Sequence, residues 1–182
     1  TDIENITATL NDIASQLERI DTLIISSGTG DINEELDFTV EKRTIDTNIT
    51  GFTCVCNWVM NYFGKQGSGH LVAITSIAGI RGSKDSPAYN ASKSYQINYL
   101  EGMRQKAYFM KKPIYVTDIR PGFVDTDMAK GEGLFWVAPV DKAAKQILQA
   151  IHKRKQVVYI TKRWRFIGEI LKCIPRFVYN KM

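Results

Sequence analysis

A serine closing an apolar run, followed thirteen positions later by a Tyr–Lys pair, constrains this chain more than any other feature. The run from Leu71 to Thr75 is short and continuously apolar, the pattern of a parallel strand buried on both faces. Ser76 closes it, and a loop with Gly79 and Gly82 leads into a helical segment carrying Tyr89 and Lys93. Residues four apart share a helix face, so phenol and ammonium are neighbours. A nearby cation favours the phenolate, and Lys93 is therefore expected to lower the Tyr89 pKa from its ordinary value of about 10. Tyr89 then reads as an acid/base group near neutral pH, with Ser76 donating a hydrogen bond to a substrate oxygen. The Tyr-x-x-x-Lys spacing alone means little, because it recurs by chance in helices.

Further residues sharpen the reading. Asn48 stands in Asn48-Ile49-Thr50-Gly51, and Pro121-Gly122 precedes Thr126 by a few positions. Taken with Ser76, Tyr89 and Lys93, these make the chain resemble the short-chain dehydrogenase/reductase (SDR) family from its first residues to about Thr161. The resemblance implies an α/β fold, an NAD(P)-binding, Rossmann-like three-layer α/β/α architecture, here reduced to about four parallel strands. It implies an oxidoreductase that moves hydride between NAD(P)H and a carbonyl or alcohol. Ser76 would hold the substrate oxygen, Tyr89 would exchange the proton, and Lys93 would lower the Tyr89 pKa and bind nicotinamide ribose hydroxyls. Asn48 would distort its helix, its main chain holding a water that continues the proton relay.

By the same resemblance, Pro121 and Gly122 line the nicotinamide, Val124 offers the carboxamide a backbone contact, and Thr126 caps that contact. The cofactor is NADP or NAD, with NADP slightly favoured. Where the family reads Asn-Asn-Ala-Gly after a strand, this chain has Ile25-Ser26-Ser27-Gly28. Gly28 lets the backbone approach the cofactor ribose, and Ser26 replaces a longer side chain's hydrogen bond with a shorter one. The family's opening strand and TGxxxGxG pyrophosphate turn, a matter of roughly sixty residues, are not in this sequence. The chain therefore reads as the C-terminal two-thirds of a reductase, expected to be inactive alone. A non-catalytic SDR-like binding or scaffold protein is the alternative.

In chain order, an amphipathic helix is expected over Asp2–Ile20 and a strand over Leu23–Ile25. A long helix spans Glu41–Phe63, and the glycine-rich 64–69 is a turn. Further strands fall at Pro113–Ile119 and Val157–Ile160, with a helix over Asp141–Ile151. Between Asp127 and Pro139, Met128, Phe135 and Trp136 beside Gly131 and Gly133 read as an apolar substrate lid on glycine hinges. Packing of these aromatics as core is the other reading.

Residues 1–161 form the Rossmann-like body and 162–182 a basic amphipathic extension. Residues 1–150 hold 15 Lys/Arg against 18 Asp/Glu, whereas 151–182 hold 9 against Glu169 alone. The basic charge therefore belongs to the end of the chain. The extension reads first as packing on the body or on a homodimer or homotetramer partner, and second as peripheral membrane contact. Its cations sit on an apolar segment, which argues against nucleic acid. Three cysteines without framework spacing, and no apolar run long enough to span a bilayer, suggest a cytoplasmic protein. His70 and His152 are isolated, and Cys54 and Cys56 point apart on a helix, so no metal site is expected.

Overall fold

The computed structural model describes residues 1–129 and 134–181, so Gly131 and Gly133 of the expected lid lie outside the described residues. Four strands form one parallel sheet in the order β1 (Thr22–Ile25), β2 (Gly69–Ile74), β3 (Ile114–Pro121) and β4 (Val157–Ile160). Helices cover both faces. On one, Leu71, Ala73, Ile114 and Val116 meet Phe52, Val59, Met60 and Phe63 of α3 (Phe52–Gln66) and Leu100 of α4 (Pro87–Phe109). On the other, Val72, Ile119 and Ile160 meet Ala143 and Ala150 of α5 (Val140–His152). The alternation of Leu71, Val72 and Ala73 between two cores explains why β2 is apolar without a period of two.

Local chemistry sets the element ends. Asp37 caps α2 (Phe38–Ile45) through a hydrogen bond from Thr39 N at 2.8 Å. Gly67 ends α3 at φ +93°, a left-handed cap, and the turn expected over 64–69 is confined to Gly67 and Ser68, since 64–66 complete α3 and Gly69 opens β2. β2 begins two residues before the apolar run because buried His70 finds a partner in Thr117 Oγ1 at 2.7 Å. β3 runs two residues past Ile119 because Arg120 and Pro121 pair with Tyr159 and Ile160. The first helix, α1 (Ile3–Gln16), stops four residues short of the expected end.

The long helix expected over 41–63 is instead three pieces. Between α2 and α3 lies a π-helical segment, Asp46–Gly51, with Asn48 at its centre. Such segments insert an extra residue into the helical turn and recur at functional positions. No described helix is long and apolar enough to cross a membrane. The last part of the chain, α6 (Trp164–Cys173) and α7 (Arg176–Tyr179), packs on the body. Trp164 and Gly168 are buried, Arg81 donates to the Leu171 and Ile174 carbonyls, and Tyr179 donates to Gly82 O at 2.6 Å.

Candidate active site

Ser76 stands just past β2 and caps the short 3-10 turn Ile77–Ile80, its Oγ accepting from Ala78 N at 3.1 Å. Its hydroxyl hydrogen is left for donation and is shared with the Tyr89 side chain. Asn90 fixes the loop by donating to Ala78 O and Arg81 O, both at 2.9 Å. Gly79 allows the loop to lie directly on α4: a Cβ there would fall 2.7 Å from the Lys93 carbonyl carbon. The strand end and the helix are thereby held as one unit. Tyr89 and Lys93 share a face as expected, with the ammonium 5.8 Å from the centre of the phenol ring.

The expected direction of the Tyr89 shift is reversed. Burial pushes the phenol above its ordinary pKa, and a hydrogen bond with the Ser76 side chain only partly offsets this. Lys93 is itself buried, which brings its pKa down to about 8, with Asp118 pulling the other way. Its ammonium donates to Ile74 O at 3.2 Å and Gln96 Oε1 at 3.1 Å. The site in this state therefore holds a neutral, protonated tyrosine.

Asn48 is fully buried and bound at both ends. Its Oδ1 accepts from Thr29 N at 2.9 Å, and its Nδ2 donates to Thr29 O at 2.6 Å and Ser92 Oγ at 2.9 Å. Ser92 in turn donates to Tyr89 O at 2.8 Å, so Asn48 ties the corner after β1 to α4. The Asn48 carbonyl accepts from Gln96 Nε2 at 2.9 Å. A single glutamine side chain thus bridges the Lys93 ammonium and the Asn48 main chain. Sequence reasoning missed Gln96, although its place three residues after Lys93 on the same helix face was the available signal.

The corner after β1 closes one wall. Gly28 lies against the Lys93 ammonium, where a Cβ would come within 3.2 Å of Nζ and 3.5 Å of Asn48 Oδ1. Gly30, not singled out from sequence, lies on the Tyr89 ring, where a Cβ would sit 2.2 Å from Cδ2. Ser26 is exposed just beyond the strand and does not join the Asn48 network. The tyrosine, lysine, asparagine and Gly28 meet at the C-terminal ends of β1 and β2, where ligands of open α/β sheets sit.

β3 supplies the other wall. Pro121 ends the strand, and Gly122 N donates to Ile160 O at 2.7 Å. Val124 pairs with Ala138, and Thr126 Oγ1 donates to Val124 O at 3.3 Å. Gly122 is covered by Trp164, whose indole would lie 2.0 Å from a Cβ at that position. Phe135 and Trp136 gather with Phe123 around Trp164 at ring separations of 5.1 to 6.0 Å. They are thus half-packed onto α6 rather than wholly exposed or wholly core, and Met128 stays exposed. Beneath this wall Asp118 is fully buried between Thr75 Oγ1 at 2.6 Å and the Arg120 guanidinium at 2.7 Å.

Residues 1–134 match the family model described as short chain dehydrogenase. An uncharacterized oxidoreductase of Mycobacterium tuberculosis is 28% identical over 157 residues, covering 84% of this chain and 61% of the relative. A 3-oxoacyl-(acyl-carrier-protein) reductase of Chlamydia muridarum is 39% identical over 90 residues, 50% of this chain and 36% of its own. The chain thus spans about three fifths or less of the curated relatives it matches. The structure resembles a Burkholderia cenocepacia short chain dehydrogenase in complex with NADP, at TM-score 0.82 and 18% identity, covering 99% of this chain and 74% of that one. It also resembles a Sphingobium yanoikuyae short-chain dehydrogenase in complex with NADPH, at TM-score 0.76 and 21% identity over 96% and 72% of the two chains. With its matched region covering most of its length, the chain belongs to the short chain dehydrogenase family.

Proposed function

We propose that this chain carries the nicotinamide and substrate side of an NAD(P)-dependent oxidoreductase acting on a carbonyl/alcohol pair. The observation that carries the reading is the convergence of Ser76, Tyr89, Lys93 and Asn48 at the sheet's C-terminal edge, Ser76 bonded to Tyr89, and Asn48 linked to Lys93 through Gln96 and to Tyr89 through Ser92. The dinucleotide, when bound, supplies or accepts the hydride. NADP is slightly favoured, in line with the NADP- and NADPH-bound structures that this fold resembles.

The residues present fit the nicotinamide end of such a cofactor. Gly28 leaves room beside the Lys93 ammonium, and two of that ammonium's three N–H groups are committed to Ile74 and Gln96. The third is the donor that a ribose hydroxyl would take. Pro121, Gly122 and the Val124 backbone, braced by Thr126, would hold the ring and carboxamide. Ser26, being exposed, would contribute at most a rim contact.

In reduction, Ser76 donates to the carbonyl oxygen while the neutral Tyr89 phenol gives up its proton. Its raised pKa keeps that proton in place at neutral pH. The phenolate then formed faces the Lys93 cation, a stabilisation that exists only after proton transfer and so lowers the barrier. Asn48 and Gln96 fix that cation. Met128, Phe135 and Trp136 would give the substrate an apolar wall, which favours an apolar carbonyl or alcohol; a homodimer or homotetramer is the expected assembly.

The test is Tyr89→Phe in the protein as its native cell makes it, followed by NAD(P)H oxidation with apolar ketones. Turnover should fall by about 10²-fold or more with the circular dichroism spectrum unchanged. Turnover that persists would overturn the assignment and favour a non-catalytic binding role.

A further inference from the structure

The other side of the molecule, beyond β4, carries a feature the proposed reaction does not use. A cleft of about 610 Å³ opens between α5, β4 and α6, lined by the cations of Arg120, Lys153, Lys155, Lys162, Arg165 and Lys172. The one acid on its wall, Glu169, is paired with Lys172 at 3.2 Å. Arg120 is buried at its floor and held by Asp118 and the Tyr159 hydroxyl, so the cleft has a fixed base rather than only mobile lysines. Cations concentrated in a concave surface attract anions strongly.

α6 presents three faces. Trp164, Gly168 and Leu171 turn to the body, and Arg165, Glu169 and Lys172 line the cleft. The third, Phe166, Ile170 and Cys173, turns outward; Phe166 is 68% exposed and Ile170 41%. α7 adds Phe177, 72% exposed, and Val178. Large apolar side chains standing in water beside a basic cleft are the pattern of a helix lying in a lipid interface.

A second copy of this chain fits poorly. A two-fold contact places the same patch against itself, and the four cations not paired with Asp118 or Glu169 would then face their copies. A soluble acidic partner would satisfy the cleft but leave Phe166 and Phe177 without a reason to be exposed. We infer that this face docks onto an anionic phospholipid surface, lipid phosphates entering the basic cleft while Phe166, Ile170 and Phe177 enter the acyl boundary.

The experiment is co-sedimentation of the full 182-residue chain with vesicles of phosphatidylcholine alone or with phosphatidylglycerol added. Binding should be at least ten-fold stronger to the anionic vesicles and should weaken as salt rises. Phe166→Ser/Phe177→Ser and Lys162→Glu/Arg165→Glu should each reduce it several-fold. All four positions are exposed, and unchanged thermal melts would show that the variants stay folded. No vesicle binding, equal binding to both vesicle types, or binding indifferent to both double variants would overturn the proposal. Capture by soluble polyglutamate without vesicle binding would overturn it in favour of an acidic protein partner. Inhibition of vesicle binding by millimolar inorganic phosphate, with phenylalanine substitutions silent, would overturn it in favour of a free-phosphate site.

Discussion

Gln96 accepts a hydrogen bond from the Lys93 ammonium at 3.1 Å, one turn further along α4. Its other end donates to Asn48 O at 2.9 Å, so its orientation is fixed by the π-helical segment and not by Lys93 alone. A side chain thus spans the Lys93 ammonium and the Asn48 main chain. An amide oxygen stabilises the charged form of the lysine it faces. Gln96→Leu should therefore drop the Lys93 pKa below its value of about 8, and Gln96→Glu should raise it. The opposite signs, read by NMR titration of Lys93, distinguish positioning from mere packing; shifts of the same sign in both variants would refute it.

Lys93 also links stability to pH. Its pKa is about 8 in the folded chain and 10.5 as the unperturbed reference. Between those values the unfolded chain binds more protons, so folding stability rises with pH across that window. Below about 8 both states are charged and the full penalty of the buried ammonium is present. The shift corresponds to a penalty on the order of 3 kcal/mol. Tyr89, raised in the folded state, acts in reverse once pH passes the ordinary tyrosine value of about 10. Urea unfolding at about pH 7 and about pH 9.5 should show the gain, and Lys93→Met should abolish it.

Gly30 makes a prediction that separates function from fold. A methyl group there would lie 2.2 Å from Tyr89 Cδ2, inside any tolerable contact, so the phenol must move. Overpacking of this kind costs about 1–3 kcal/mol. Gly30→Ala should therefore leave a folded protein whose NAD(P)H-dependent turnover falls by about 10²-fold, because proton transfer depends on placement at hydrogen-bond reach. A variant with near-normal turnover would mean that the tyrosine position is not what this corner sets.

How much of this was legible beforehand depended on whether a signal was local. The strand before Ser76 and the shared face of Tyr89 and Lys93 follow from apolar runs and the helical repeat, and both stand in the structure. His70 and Arg120 extend β2 and β3 beyond the apolar runs because each finds a buried partner on a neighbouring strand, Thr117 and Tyr159. No periodicity reports such a pairing. The direction of the Tyr89 shift was misread for a similar reason: spacing shows that a lysine is near, but not that burial of the phenol outweighs it. Gly30 and Trp164 were invisible because each acts on a residue far away in sequence, Tyr89 and Gly122.

The Asp118–Arg120 pair gives the last prediction. Asp118 has no exposure, and Arg120 meets its Oδ2 through both Nε and a terminal nitrogen at 2.7 Å, while Thr75 donates to Oδ1, so both carboxylate oxygens have charged or polar partners. Arg120→Met leaves a carboxylate uncompensated in the core, which costs about 3–5 kcal/mol. Asp118→Leu/Arg120→Met removes both charges and should recover much of that loss, since buried pairs often add little over apolar replacements. The single change should also raise the Lys93 pKa from about 8, because Asp118 already pulls it upward and would then act without its counter-ion. Urea midpoints order the three proteins, and the Lys93 titration reads the coupling. A double variant less stable than Arg120→Met would show that Thr75, which donates to Asp118 beside Ser76, depends on the carboxylate more than on its neutralisation.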